Sequence, residues 1–208
     1  MQLTHQLVPE FIYEKYRANA SYGSFQGAAM FVDLSGFSTM TDVLSTRGTH
    51  GAEVLANMMR VVFEPLVNAV YQQGGFVIGY AGDAFNAIFP DQDSGQVMQR
   101  CLSSALAMQA HTKSHSQVST PYGEFAIRIK VGIGFGATTW QIFKSINGRR
   151  ASYWFRGESL NGAVAGEESA RAGDIMADLI SYNLLKDVVR AVPVDDCFLI
   201  QDVLADLP

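Results

Sequence analysis

The sequence predicts an α+β fold in which helices cover a mainly antiparallel sheet. Three observations carry this expectation. Apolar residues recur at helical spacing from Gly51 to Tyr71, and residues 125 to 133 alternate strictly, as a strand with one face on the core does. These periodicities interleave in the order strand, helix, helix, hairpin, helix, strand, hairpin, helix, strand, helix, strand. From that order a ferredoxin-like core is expected.

Each element has a local cause. Thr4 to Arg17 places Leu7, Val8, Phe11, Ile12 and Tyr16 at helical spacing, with Pro9 in the first turn where a missing N–H costs little. Ala28 to Asp33 is a short apolar strand ending in an acid, and Gly36 marks a sharp exit into a helix over Phe37 to Leu44. The Gly51 to Tyr71 helix faces the core through Val54, Leu55, Met58, Val62, Leu66 and Val70, with a kink predicted at Pro65. Phe76 to Tyr80 and Phe85 to Phe89 form a hairpin whose turn, Ala81-Gly82-Asp83, presents the aspartate. A helix over Val97 to His111 precedes the alternating strand, whose other face carries Gly132, Gly134 and Gly136.

Asn147-Gly148 supplies the positive φ angles of a two-residue turn between Thr138 to Ser145 and Arg149 to Phe155. The chain then reads as a helix (Glu158 to Arg171), a strand (Asp174 to Ala177), a helix (Leu179 to Arg190) and a strand (Cys197 to Gln201).

Length and composition bound the function classes. A chain of 208 residues, 48% hydrophobic and 17% charged, is expected to form a single domain over 1–208, with a lead-in at 1–27 and a core at 28–201. The net charge of −5 and the lack of a basic stripe argue against nucleic acid as a partner. No apolar run approaches the roughly 20 residues that span a bilayer, so no membrane partner is expected. Cys101 and Cys197 lie far apart in apolar contexts and read as buried free thiols, which makes a cytoplasmic location the default.

Asp33 at a strand end and Asp83 in a hairpin turn would meet if their strands were neighbours. Two unpaired carboxylates about 4 Å apart, at an effective dielectric near 20, repel by roughly 4 kcal/mol, so holding both ionised calls for a cation. Oxygen-only ligands of this kind suit magnesium or manganese, with substrate phosphates completing the shell. Directly after Asp33, Leu34-Ser35-Gly36-Phe37-Ser38 opens a helix whose free N–H groups and positive dipole end favour a triphosphate.

FVDLSGFSTMTD (Phe31 to Asp42) resembles the first metal motif of class III adenylyl and guanylyl cyclases, and GYAGDAFNAIF (Gly79 to Phe89) resembles their second. The spacing of the two aspartates is similar to that of the soluble, bicarbonate-responsive branch and its bacterial relatives. IRIKVGIGFGATTW and RGESLNGAVAGEESARAGDIMA are similar to the family's central strand and its Asn-bearing helix. The resemblance spans roughly Ala28 to Leu199. It implies the nucleotide cyclase fold and conversion of ATP or GTP to the cyclic monophosphate. It also implies that two Mg²⁺ or Mn²⁺ ions are held by Asp33, Asp83 and the Leu34 carbonyl, phosphate is cradled by Ser35, Gly36, Phe37 and Ser38, and Asn161 orients the ribose.

Other family positions depart. The base-reading Lys is replaced by Gly79, its base-selecting companion by Trp154, and the transition-state Arg by Ala165. Metal acids kept with those positions lost resembles the first catalytic half of two-domain cyclases, so the expected partner is a complementary cyclase domain or, failing that, a second copy. LVPEFIYEKY (Leu7 to Tyr16) is similar to the opening of such halves in multidomain proteins, so the chain is expected to be a fragment of a longer one. Gly79, Val164 and Ala165 also remove the basic residues that a bicarbonate response would use.

Blander readings stand beside these. Taken singly, Asp33 is a helix-capping acid, Asp83 a turn residue and Asn161 a polar residue on a helix face. His111 and His115 lack a third ligand nearby, GIGFG lies inside a strand and so is no dinucleotide loop, and Lys130, Lys144, Arg149 and Arg150 read as exposed charges. The competing function is a non-catalytic cyclase-homology domain that binds nucleotide and metal and acts as a regulatory or dimerisation module.

Overall fold

The computed structural model describes residues 8–91, 96–147 and 149–208. Helix α1 (Glu10–Arg17) leads into β1 (Tyr22–Ser35), followed by α2 (Phe37–Ser45), α3 (Gly48–Gln72) and the hairpin β2 (Phe76–Ala81) and β3 (Ala84–Pro90). Helix α4 (Val97–Ser114) precedes a small hairpin, β4 (Gln117–Thr120) and β5 (Gly123–Ala126), and then the long β6 (Arg128–Lys144). The chain closes with β7 (Ala151–Gly157), α5 (Glu158–Ser169), β8 (Ile175–Asp178), α6 (Leu179–Leu185), β9 (Val189–Val194) and β10 (Cys197–Val203).

The main sheet runs β2-β3-β1-β6-β8-β10-β9, with β7 also paired to β6. Its first four strands are mutually antiparallel, and their order is the ferredoxin-like arrangement expected from the sequence. Strand β8 joins β6 in parallel.

Alternation along β1 decides which face holds the main core. Ala28, Met30, Val32 and Leu34 point toward α2, α3 and α4, where they meet Met40, Leu66, Val70, Leu102 and Met108. Ala29 points the other way, with Ile88, toward Ala163 of α5. On that second face α1 lays Phe11 against Phe25, Phe76, Trp140 and Phe155, with ring centroids 5.4, 5.4, 5.7 and 5.9 Å apart. Such pairs each add about 0.5–1.5 kcal/mol beyond their area burial.

Helix α5 sits unusually close to β6. A Cβ on Gly132 would fall on the Ala163 carbonyl oxygen, and one on Gly134 on the Ser159 carbonyl oxygen. Backbone meets backbone along this seam, which only glycine permits.

Several boundaries differ from the sequence reading. Strand β1 begins at Tyr22, not Ala28, because its polar, glycine-containing start pairs with the far end of β6 from Tyr22↔Gln141 onward. The alternating run is broken at Ile127: Phe125 belongs to the β4–β5 hairpin, opposite Val118, while β6 continues through its glycines to Lys144. Helix α6 stops at Leu185, and Val189–Val194 forms a strand on β10, turned by Asp195 at φ 51°. The β6–β7 pairing ends at Lys144↔Ala151, so the connection is longer than a two-residue turn. Within it the Asn147 Oδ1 accepts from Ser145 Oγ at 2.8 Å and from the Arg149 N–H at 3.1 Å, while Gly148 lies outside the described residues. Helix α3 runs through Pro65 as one element. Helix α1 starts at Glu10 with Pro9 before it, and the residues from Thr4 to Leu7 assigned to it lie outside those described. Both cysteines are buried and free. Among the described residues no helix is long and apolar enough to cross a membrane.

Candidate active site

Asp33 occupies the end of β1, on the opposite face from Val32 and Leu34. Its neighbours across the sheet are Ala84 on β3 and Lys130 on β6. Asp83 directly precedes Ala84 in the β2–β3 turn, where Gly82 takes φ 64° without a Cβ penalty. The Asp83 carbonyl accepts a 3.2 Å hydrogen bond from the Leu34 N–H, so the turn is stitched to the residue following Asp33. The strand-end acid and the turn acid are thereby brought to one corner of the sheet.

The segment after Asp33 turns sharply. Leu34 and Ser35 complete β1, and Gly36 adopts φ 92° with its α-carbon pressed so near the Ala126 carbonyl that a Cβ would collide with it. Helix α2 then starts at Phe37 with no side-chain cap, leaving its first-turn N–H groups without a side-chain acceptor. Phe37 is buried edge-on to Phe63 at 5.8 Å. Ser38 points the other way, and its hydroxyl donates a 2.6 Å hydrogen bond to the Asp83 carboxylate. A cleft of about 310 Å³ opens here, lined by Ser38, Thr41, Leu55, Met59, Gly82 and Asp83. A larger cavity, about 420 Å³, lies between α3, α4 and β4 with His111 and His115 at its rim, and neither aspartate lines it.

Burial pushes the Asp33 carboxyl above its ordinary range, the Lys130 ammonium opposes this, and the charges of Asp83 and Glu167 reinforce it. The two aspartates therefore feel one another. Lys130 stands 3.5 Å from Asp33 Oδ2 and 2.5 Å from the Glu167 carboxylate on α5. Glu167 is buried, at 8% exposure. Its hydrogen bond holds the Lys130 ammonium above the usual lysine range. The sequence reading of Lys130 as an exposed strand charge is thus corrected: alternation with Gly132 and Gly134 puts it on the α5 face, directly across from Asp33. That alternation was the available signal, but pairing with β1 had to be known before it pointed to the site.

This donor set fits a hard divalent cation: carboxylate oxygens, no sulfur or imidazole, and an Asp33 carboxyl held above its ordinary range by burial first and by the Asp83 charge as well. Among the described residues no cluster of three His, Cys, Asp or Glu side chains could hold a metal. His111 and His115 stack at 4.3 Å at the end of α4.

Asn161 does not join this cluster. It is exposed on α5, six positions before Glu167, about 9 Å along the helix axis at 1.5 Å per residue. Ala165 is exposed one turn further on. Gly79 faces open space, and the Trp154 ring is taken up by the Arg156 guanidinium at 4.6 Å and by Phe143 at 6.3 Å.

No family model matches the chain. It is 27% identical over 158 residues to adenylate cyclase type 10 of Oryctolagus cuniculus, covering 73% of this chain and 9% of that protein. It is 30% identical over 125 residues to the same-named protein of Mus musculus, covering 57% of this chain and 7% of that one. The chain thus spans under a tenth of the length of these curated relatives. Among solved structures, the adenylyl cyclase CyaB from P. aeruginosa superimposes with a TM-score of 0.71 at 22% identity, covering 90% of this chain and 99% of that one. The guanylate cyclase domain of RhGC from Catenaria anguillulae, in complex with GTP, gives 0.70 at 17% identity over 87% and 99%. This chain therefore has the fold of the class III adenylyl and guanylyl cyclase catalytic domains and is similar in sequence to adenylate cyclase type 10.

Proposed function

We propose that the chain is the metal-bearing half of a nucleotide cyclase, converting ATP to cyclic AMP and pyrophosphate when paired with a complementary domain. The observation that carries this reading is the meeting of Asp33 and Asp83 beside the uncapped start of α2. In the reaction the ribose 3′ oxygen bonds to the α phosphorus, the bond to pyrophosphate breaks, and the hydroxyl proton is lost.

Asp33, Asp83 and the Leu34 carbonyl would hold two Mg²⁺ or Mn²⁺ ions. Those ions supply activation of the 3′ hydroxyl and neutralisation of the triphosphate and leaving group. Ser35, Gly36, Phe37 and Ser38 would receive phosphate oxygens at the positive end of α2. Ser38 fixes the Asp83 carboxylate from the helix side. Asn161, outside this corner, would act on the ribose at the other site of the paired domains.

The partner would supply the base-reading groups and the transition-state guanidinium, since Gly79, Trp154 and Ala165 provide neither. A guanidinium aimed at developing phosphoryl charge is worth about 10³–10⁵ in rate, so a pair of identical chains would be nearly inactive. The same exposed Ala165 favours the second reading, a regulatory or dimerisation module that binds nucleotide and metal without turnover.

The two readings separate when the chain is incubated with Mn²⁺ and ATP or GTP, alone and with a complementary domain carrying the Lys, Asn and Arg. Cyclic nucleotide only in the mixture, abolished by Asp33→Ala or Asp83→Ala, supports the cyclase half. Metal-dependent nucleotide binding with no product in any combination supports the module.

A further inference from the structure

Lys130 places a positive charge where the proposed metal site least tolerates one. Its ammonium lies 3.5 Å from Asp33 Oδ2, and β-sheet register fixes it there because Lys130 is the residue opposite Asp33 on β6. Yet its closest partner is not Asp33. Glu167, from the second half of α5, takes it at 2.5 Å, and both side chains are largely withdrawn from solvent, at 24% and 11% exposure. Helix α5 can present Glu167 there because glycines remove the side chains between it and β6: a Cβ on Gly132 would also strike the Glu167 backbone nitrogen.

We propose that Glu167 acts as a positioning residue that draws Lys130 away from Asp33, and that this pair sets how tightly the Asp33–Asp83 corner binds a divalent cation. The inference rests on the metal-site reading above and deepens it. A free Lys130 would neutralise Asp33 internally and repel an arriving dication. Held by Glu167 at the shorter distance, the ammonium keeps its charge and stays beside Asp33 Oδ2 at 3.5 Å, but makes its closer bond to Glu167. Because Glu167 and Asn161 share one helix, cation occupancy at the acids is also tied to the placement of α5.

The charges at this corner fix the sign of each substitution. Glu167→Gln releases Lys130 onto Asp33 and weakens cation binding. Lys130→Met removes the competing charge and leaves an additional carboxylate close by, so binding tightens. In the double variant the nearer of the two charges dominates, and the loss of Lys130 outweighs the loss of Glu167. Lys130→Arg keeps both the charge and the bond to Glu167.

The experiment measures Mn²⁺ binding to the full chain at neutral pH, without nucleotide, from the electron paramagnetic resonance signal of free Mn²⁺, with circular dichroism confirming each variant is folded. Lys130→Met is expected to bind about tenfold more tightly than wild type, Glu167→Gln about tenfold more weakly, and Lys130→Arg within about threefold. If the unpaired Glu167 prevents Lys130→Met from folding, Lys130→Met/Glu167→Gln carries the test and still binds more tightly than wild type. Wild-type affinity in both Lys130→Met and the double variant overturns the inference, as does Glu167→Gln binding as well as wild type. Failure of the underlying reading looks different: wild-type Mn²⁺ binding would then be unchanged by Asp33→Asn and Asp83→Asn.

Discussion

Ser38 and Asp83, 45 residues apart in the chain, are joined by a 2.6 Å hydrogen bond that ties the start of α2 to the β2–β3 turn. One hydroxyl thus links the helix proposed to receive phosphate to a carboxylate proposed to hold the metal. A hydrogen bond to a charged group contributes about 1.5–3 kcal/mol, although exposure lowers this. Ser38→Ala is therefore expected to weaken Mn²⁺-dependent binding of an ATP analogue about five- to tenfold, read by calorimetry, and to lower the melting temperature by only about 2–4 °C.

The seam between β6 and α5 predicts a large stability effect from a small change. Gly132→Ala drives a methyl group into the Ala163 carbonyl and is expected to cost about 2–3 kcal/mol in urea unfolding, at the upper end of overpacking effects. Gly79→Ala is the control. Its Cβ meets nothing within 4 Å, so the cost should stay within about 0.5 kcal/mol.

Asp178 separates capping from charge burial. It accepts a 2.7 Å hydrogen bond from the Ser181 N–H at the start of α6, and burial nevertheless holds its carboxyl above the usual range. Asp178→Ala loses the cap and should cost about 1 kcal/mol. Asp178→Asn keeps an acceptor and removes the buried charge. A folded-state pKa above the unfolded value means ionisation destabilises the native state at neutral pH, and falling pH relieves this as the native state takes up its proton first. The stability advantage of Asp178→Asn over wild type should thus be greatest at neutral pH. It should shrink as pH falls through the raised pKa toward the ordinary 3.8, measured as urea midpoints across that range.

If Ala165 and Gly79 are what keep identical chains from turning over, restoring those groups should confer activity. Both positions are exposed, and Gly79 has free space around it, so Gly79→Lys with Ala165→Arg should be accommodated. The double variant is expected to raise cyclic nucleotide formation by the isolated chain at least about tenfold over wild type in Mn²⁺, with product quantified by chromatography.

Much of this could be read from the residues because the informative signals were local. The apolar run Ala28 to Asp33 located the end of β1, and Gly82 and Gly36 marked the turns that deliver Asp83 and open α2. The β4–β5 hairpin escaped because its strands are four residues each with little apolar content, and β9 because its partner decides it: Phe125 pairs with Val118, and Pro193 with Phe198. Lys130 and Glu167 escaped for a related reason. They lie 37 residues apart and on different elements, and their ion pair exists only because glycines let α5 settle onto β6.

Everything turns on where a divalent cation sits. Crystals of the chain soaked with Mn²⁺ and a non-cyclisable ATP analogue would show this directly in an anomalous difference map. Density is expected in contact with both the Asp33 and Asp83 carboxylates, with the triphosphate over the start of α2. Density on only one of them, or none at that corner while the analogue binds elsewhere, would contradict it.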